Sequence, residues 1–200
     1  MLAKERFYSF LLKKNITTIV ITIIFIGYFG SLKAIEKISI INNFNSSETL
    51  KFDFTQKSFD KNEKGVCFLK RPYFLRCQYK DENQKELIIN NRVLVIYHRR
   101  YNKIYRYPVS QSFFTDILNK QKFSELISSG ENLPNKNFIE IKYFNKNKGE
   151  ITLFFNKKNY NLNGWRLVDI NNNITLLKIE NLIKNSDIKK NFFLIPEENQ

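Results

Sequence analysis

The chain has 200 residues, a length that suits one domain with a sizeable core, and its 19 Phe and 10 Tyr can line a core or a large apolar cavity. Its net charge of +14 would suit an anionic partner. However, 25 of the 33 basic residues are Lys, and Asn and Ile abound, so a biased composition explains the charge better. With dispersed glycines, two cysteines and a single histidine, His98, the sequence predicts no enzyme, no metal site and no cofactor.

The first 34 residues have the layout of an export segment. Basic residues among positions 4–14 precede an apolar run over residues 16–32. This run is longer than the about 7–15 residues of a signal peptide and just short of the about 20 that span a bilayer. Residues 1–34 are therefore either a cleaved signal peptide or a retained membrane anchor. Both interpretations place residues 35–200, which carry +10 of the charge, outside the cytoplasm.

The residues that follow predict mainly short strands. Apolar residues recur at helical spacing over residues 35–44, and Phe52 and Phe54 then alternate with polar residues as in a half-buried strand. Residues 60–65 have the composition of a turn. The further predicted elements are a hairpin over 66–80, a hairpin over 87–97, a strand over 104–109, a helix over 112–130 and short strands at 138–144, 150–155, 164–170, 174–182 and 192–196.

These elements predict one α+β domain over residues 35–200. Ser112 is a candidate N-cap for the second helix, and Gly130 is its expected end. One helix precedes the antiparallel strands and the other interrupts them. A sheet this aromatic has to curl or to have its apolar face covered, and the two helices are the only candidates for the cover.

Cys67 and Cys77 are candidates for a disulfide. If the hairpin turns at Pro72, Cys67 lies directly opposite Cys77, and cross-strand neighbours about 4.5–5.5 Å apart between Cα atoms suit such a bond. An extracytoplasmic compartment permits it. Because a shift of one residue in register would separate the pair, two buried free thiols remain the alternative.

Residues 97–107, YHRRYNKIYRY, interleave tyrosines with basic side chains. In a cytoplasmic protein this pattern would suggest base stacking with phosphate contacts. The export segment argues against nucleic acid as a partner. We interpret the segment as a strand, a turn and a strand with solvated Lys and Arg side chains.

Five motifs follow one another in the sequence. The segment GVCFLKRP precedes FLRCQY within Gly65–Tyr79, and the other four motifs are Phe52–Gln56, Asn90–Tyr97, Gly164–Asp169 and Phe192–Pro196. Their order resembles that of the LolA family, the periplasmic outer-membrane lipoprotein carriers, which has a strand that ends in Lys-Arg-Pro followed by a Phe-Arg-Trp-like strand. The resemblance covers residues 50–200.

This resemblance implies an unclosed, strongly curved antiparallel β half-barrel covered by a helical lid, with a cavity for lipoprotein acyl chains between them. Arg71 corresponds to the family's arginine that hydrogen-bonds the lid in the closed state, the lid latch. A guanidinium has five N–H donors for that purpose. The residues expected to line the acyl-chain cavity are Phe52, Phe54, Leu69, Tyr73, Leu75 and Trp165.

The implied function is a periplasmic carrier, acting as a monomer, that moves lipoproteins from the inner to the outer membrane. Its implied partners are the inner-membrane lipoprotein-release complex and the outer-membrane lipoprotein acceptor. Two alternatives stay open. If residues 16–32 are retained, the same half-barrel would be a membrane-tethered lipid-binding sensor or interaction domain. The positive charge would also suit an extracytoplasmic polyanion-binding protein.

Overall fold

The computed structural model describes residues 34–197, so the predicted export segment over residues 16–32 lies outside the described residues. The chain divides into residues 1–38, described as helical from residue 34, and residues 39–200. The strands are β1 (Thr49–Ser58), β2 (Lys61–Lys70), β3 (Phe74–Tyr79), β4 (Lys85–Asn90), β5 (Val93–His98), β6 (Lys103–Pro108), β7 (Glu131–Leu133), β8 (Phe138–Asn145), β9 (Gly149–Asn156), β10 (Leu162–Val168) and β11 (Ile174–Lys184).

Within the described range these strands form one antiparallel sheet in the order β6-β5-β4-β3-β2-β1-β11-β10-β9-β8-β7, which leaves β6 and β7 as edges. This open sheet with a few helices confirms the predicted α+β half-barrel.

The strands form where apolar residues alternate with polar ones, and the apolar set faces the concave side. In β1, Leu50, Phe52 and Phe54 are buried, whereas Lys51 between them is exposed. The β2–β3 hairpin has the predicted register, with Cys67 opposite Cys77. The two cysteines form a disulfide.

The predicted turn over residues 60–65 is wrong, because β2 already begins at Lys61, which pairs with Ser58 of β1. The error has a physical reason. The first residues of β2 lie mostly in solvent, so their charged side chains look like those of a turn.

Three α-helices lie within the described residues, and they pack on the concave face from residue 39 onward: α1 (residues 34–45), α2 (Phe114–Leu118) and α3 (Lys120–Ser129). Phe44 of α1 meets Phe123 of α3 with ring centroids 4.0 Å apart. The predicted single helix over 112–130 is wrong at Asn119, which is extended and caps α3 by accepting a hydrogen bond from Lys122 N. The predicted N-cap at Ser112 is wrong, because Phe113 precedes α2 and Ser112 instead ends a 3₁₀ turn over Val109–Gln111, with its Oγ donating to Val109 O. No helix within residues 34–197 is long and apolar enough to cross a membrane.

The C-terminal segment covers part of the convex face. Residues Lys190–Phe193 form a 3₁₀ turn, so the predicted strand over residues 192–196 is wrong. Phe192 packs against Phe68 of β2 at 4.8 Å between ring centroids, and Phe193 packs against Phe74 of β3 at 5.6 Å. The segment is held by these aromatic contacts and by hydrogen bonds from Arg76 and Asn90 to its carbonyls, and not by a strand ladder.

Candidate functional site

An apolar cavity of about 230 Å³ lies between the concave face of the sheet and helix α2. The helix contributes Phe114, whose ring meets that of Trp165 of β10 edge-on at 6.4 Å. The cavity wall is apolar except at one end, where Gln56, Tyr79 and Lys85 border it. The other lining residues are Phe52, Leu75, Cys77, Leu87, Ile96, Phe114, Trp165 and Leu177.

A second void of about 10 Å³ shares part of this wall. Phe52, Leu75, Phe114 and Trp165 line both spaces, and Phe44 of α1 lines only the smaller one. The main cavity lies below the about 300–1,000 Å³ typical of ligand sites. Because four residues line both spaces, the smaller void lies next to the main cavity, on the side of α1.

Arg71 connects the β2–β3 turn to the end of α1. Its side chain is buried, and its Nη1 donates to Phe44 O at 2.6 Å and to Ser47 O at 2.7 Å. Its guanidinium carbon also lies 4.2 Å from the centroid of the Phe44 ring. We call Arg71 with these two carbonyls the latch. The arrangement ties the C-terminal end of α1 to a turn of the sheet.

The latch leaves part of the guanidinium without partners. Arg71 Nε and Nη2 and Ser47 Oγ are buried and have no hydrogen-bond partner among the described residues. Burial lowers the pKa of Arg71 to about 10, although the nearby Glu48 carboxylate acts to raise it. Arg71 therefore stays cationic at neutral pH, and its closed position carries an uncompensated desolvation of about 1–3 kcal/mol for each unpartnered N–H group.

A ring of polar side chains closes the other end of the cavity. Tyr79 Oη donates to Gln56 Oε1 at 3.1 Å, and Gln56 Nε2 donates to Glu63 Oε2 at 3.2 Å. Lys85 Nζ forms an ion pair with Glu63 and lies 3.9 Å from the centroid of the Tyr79 ring. Burial, followed by the charges of Glu63 and Asp81, raises the pKa of Tyr79, so its hydroxyl keeps its proton and remains a donor.

The structure brings only part of the expected cavity residues together. Leu69 lines the small void but not the main cavity. Phe54 lines neither space and is buried beside Tyr79, with ring centroids 4.9 Å apart. Tyr73 lies in the β2–β3 turn, lines neither space, and accepts a hydrogen bond from Asn119 Nδ2 at 3.0 Å. The expected residues that line the main cavity are Phe52, Leu75 and Trp165.

Sequence reasoning missed the polar end of the cavity and the aromatic side chain of α2. The signal for Gln56 was present, because it has the same parity in β1 as Phe52 and Phe54 and therefore faces the same side. The sequence has no comparable pattern that places Phe114 in the cavity, because the orientation of α2 depends on the break between the two helices at Asn119.

Comparisons with known proteins identify the family to which this fold is similar. Residues 45–196 match the model of the family described as outer membrane lipoprotein carrier protein LolA. None of the curated proteins matches the sequence. An uncharacterized conserved protein from Thermus thermophilus has a similar fold, with a TM-score of 0.52 and 11% identity over 84% of this chain and 96% of that chain. A LolA superfamily protein from Nitrosomonas europaea has a TM-score of 0.43 and 10% identity over 78% of this chain and 96% of that chain.

Proposed function

We propose that this chain, which belongs to the LolA family of outer membrane lipoprotein carrier proteins, binds the acyl chains of lipoproteins in its concave cavity. The observation that carries the proposal is a mainly apolar cavity between the sheet and helix α2. An acyl chain buried there gains about 0.8 kcal/mol per methylene without directional contacts. Such binding depends little on the protein to which the lipid is attached.

Uptake of an acyl chain requires the cavity to enlarge. The closed volume of about 230 Å³ is smaller than an ordinary ligand site. The latch holds α1, and Lys148 Nζ holds α2 by donating to Thr115 Oγ1 at 3.0 Å and Asp116 Oδ2 at 2.5 Å. We propose that Arg71 exchanges its two carbonyl partners for water when α1 moves away from the turn, and that Phe114 then turns out of the shared wall.

The larger role follows from the family. We propose that the chain works outside the cytoplasm, receives lipoproteins from an inner-membrane release complex and delivers them to an outer-membrane acceptor. If residues 16–32 stay attached, the same site would instead belong to a tethered lipid-binding domain, because a tethered domain cannot cross the periplasm. The intact mass of the chain from its native envelope separates these two roles: a start near residues 31–35 supports the carrier, and the full-length mass supports the tethered domain.

Acyl-chain binding can be tested directly because Trp165 is the single tryptophan and lines the cavity. Titration of the chain with a synthetic triacylated lipopeptide is expected to change Trp165 emission. Leu87→Phe places a larger side chain in the cavity and should weaken the response at least tenfold. The matched control is Leu176→Phe, since Leu176 lies on β11 at 43% exposure and does not line the cavity. Equal responses from both variants would contradict acyl binding at this site.

A further inference from the structure

The wall of the cavity continues to a free edge of the sheet. Along one row of paired residues, Cys77 is opposite Leu87, Leu87 is opposite Ile96, and Ile96 is opposite Tyr105 of the edge strand β6. Paired residues of an antiparallel sheet point to the same face, so Tyr105 extends the concave wall beyond Ile96. In the next row Tyr107 does the same beside Leu94.

The tyrosines at this edge lie in solvent. Tyr105 and Tyr107 are each 47% exposed, and Tyr101 in the preceding turn is 57% exposed. Their rings supply apolar surface and their hydroxyls can bond to water, the combination that suits a boundary between an apolar phase and water. We call residues 99–107 the lip.

The lip is also strongly basic. From residue 87 to residue 115 the sequence has five basic side chains and no acidic one. All five are exposed, and four of them belong to the lip itself. They are Arg92, Arg99, Arg100, Lys103 and Arg106. Long basic side chains beside tyrosines can lay their stems on apolar material while their charges reach anionic groups.

We propose that the lip docks on the surface of a membrane that contains anionic lipids, with the row from Tyr105 to Leu87 leading from that surface to the cavity. The proposal rests on the proposed acyl-binding function. The occupant must complement the positive charge of the edge and at the same time take up its exposed tyrosine rings. An anionic bilayer does both, whereas an acidic protein complements only the charge.

The experiment places an environment-sensitive fluorophore on an introduced cysteine of the full chain. Tyr107→Cys carries the dye at the lip, and Phe144→Cys is the matched control, since Phe144 is 67% exposed on β8. The native Cys67 and Cys77 are bonded to each other, so only the introduced thiol reacts. The chain is added to phosphatidylcholine vesicles with or without phosphatidylglycerol, and contact is measured by quenching with a nitroxide-labelled lipid. Any contribution of residues 1–34 is the same in all variants.

We expect quenching at position 107 on phosphatidylglycerol vesicles, little at position 144, and reversal when salt shortens the Debye length from about 10 Å at 0.1 M to about 3 Å at 1 M. The double variant Arg100→Gln/Lys103→Gln should lower the ratio of docked to undocked protein by about thirtyfold, because each basic side chain contributes about 1 kcal/mol at an anionic surface. No quenching at 107, or equal quenching at 107 and 144, would overturn the docking proposal. So would displacement by soluble polyglutamate at equal charge, which would identify an acidic macromolecule as the occupant. If the Trp165 response to lipopeptide persists in such a case, only the docking proposal fails.

Discussion

Replacing Arg71 by leucine tests whether the latch holds α1 against the sheet. The substitution removes the Nη1 bonds to Phe44 O and Ser47 O. It also removes two buried nitrogens, Nε and Nη2, that have no hydrogen-bond partner among the described residues. The two effects on stability are opposite in sign, so the latch is tested by the local opening of α1 and not by global stability.

The magnitudes follow from ordinary values. Two hydrogen bonds from a charged donor contribute about 3–6 kcal/mol in total, and relief of two unpartnered groups returns about 2–6 kcal/mol. The free energy of unfolding should therefore change by no more than about 4 kcal/mol in either direction. The end of α1 loses its attachment to Arg71, and a loss of about 3 kcal/mol makes its opening about a hundredfold more frequent.

Hydrogen exchange read by mass spectrometry measures that opening. A peptide covering residues 39–48 should exchange about a hundredfold faster in Arg71→Leu, while peptides from β9 and β10 keep their rates. Arg166→Leu is the control, because this half-exposed arginine forms a long ion pair of 3.5 Å with Glu150, away from α1. If exchange of residues 39–48 is unchanged in a folded Arg71→Leu protein, Arg71 does not hold the helix and the latch is wrong.

Two further predictions concern stability. Replacing both Cys67 and Cys77 by alanine should lower the free energy of unfolding by about 3 kcal/mol, the loop-closure contribution for this hairpin, and equal denaturant midpoints with and without the bond would contradict this. The raised pKa of Tyr79 predicts a second, pH-dependent effect: the folded state keeps a proton that the unfolded state releases above about pH 10, so stability is complete below pH 10 and falls as pH rises further. Tyr79→Phe should make that fall shallower in denaturant titrations at pH 9–11.5, and an identical slope would show that Tyr79 does not contribute.

Elements whose structure depends on local alternation were predictable from the sequence. The period-two pattern around Phe52 and Phe54 predicts β1. The turn at Pro72 predicts the register that places Cys67 opposite Cys77. In both cases burial of one face fixes the strand, since a shift by one residue would expose every apolar side chain.

Elements whose structure depends on distant contacts were not predictable. Asn119 interrupts a stretch with good helical spacing because its side chain caps α3 and also donates to Tyr73 Oη. The segment around Phe192 has the composition of a strand. However, the Phe192 ring packs against Phe68 on the convex face, and its carbonyl accepts a hydrogen bond from Arg76. Tyr73 is far from Asn119 in sequence, and Phe68 is far from Phe192. Local propensity carries no information about these contacts and therefore predicts the wrong local structure.

Under the proposed function, the number of methylenes that enter the cavity decides whether an acyl chain can open the latch. Moving α1 away from the turn breaks the two Arg71 hydrogen bonds, which costs about 3–6 kcal/mol of free energy. Water then reaches the unpartnered Nε and Nη2 groups, which lowers that cost. Ten methylenes entering the cavity contribute about 8 kcal/mol, whereas four contribute about 3 kcal/mol. Ten methylenes therefore exceed the cost of breaking the two bonds, whereas four methylenes reach only its lower limit, so a long acyl chain is favoured. The unpartnered nitrogens of Arg71 destabilise the closed state, and they lower the free-energy cost of opening that the acyl chain has to meet.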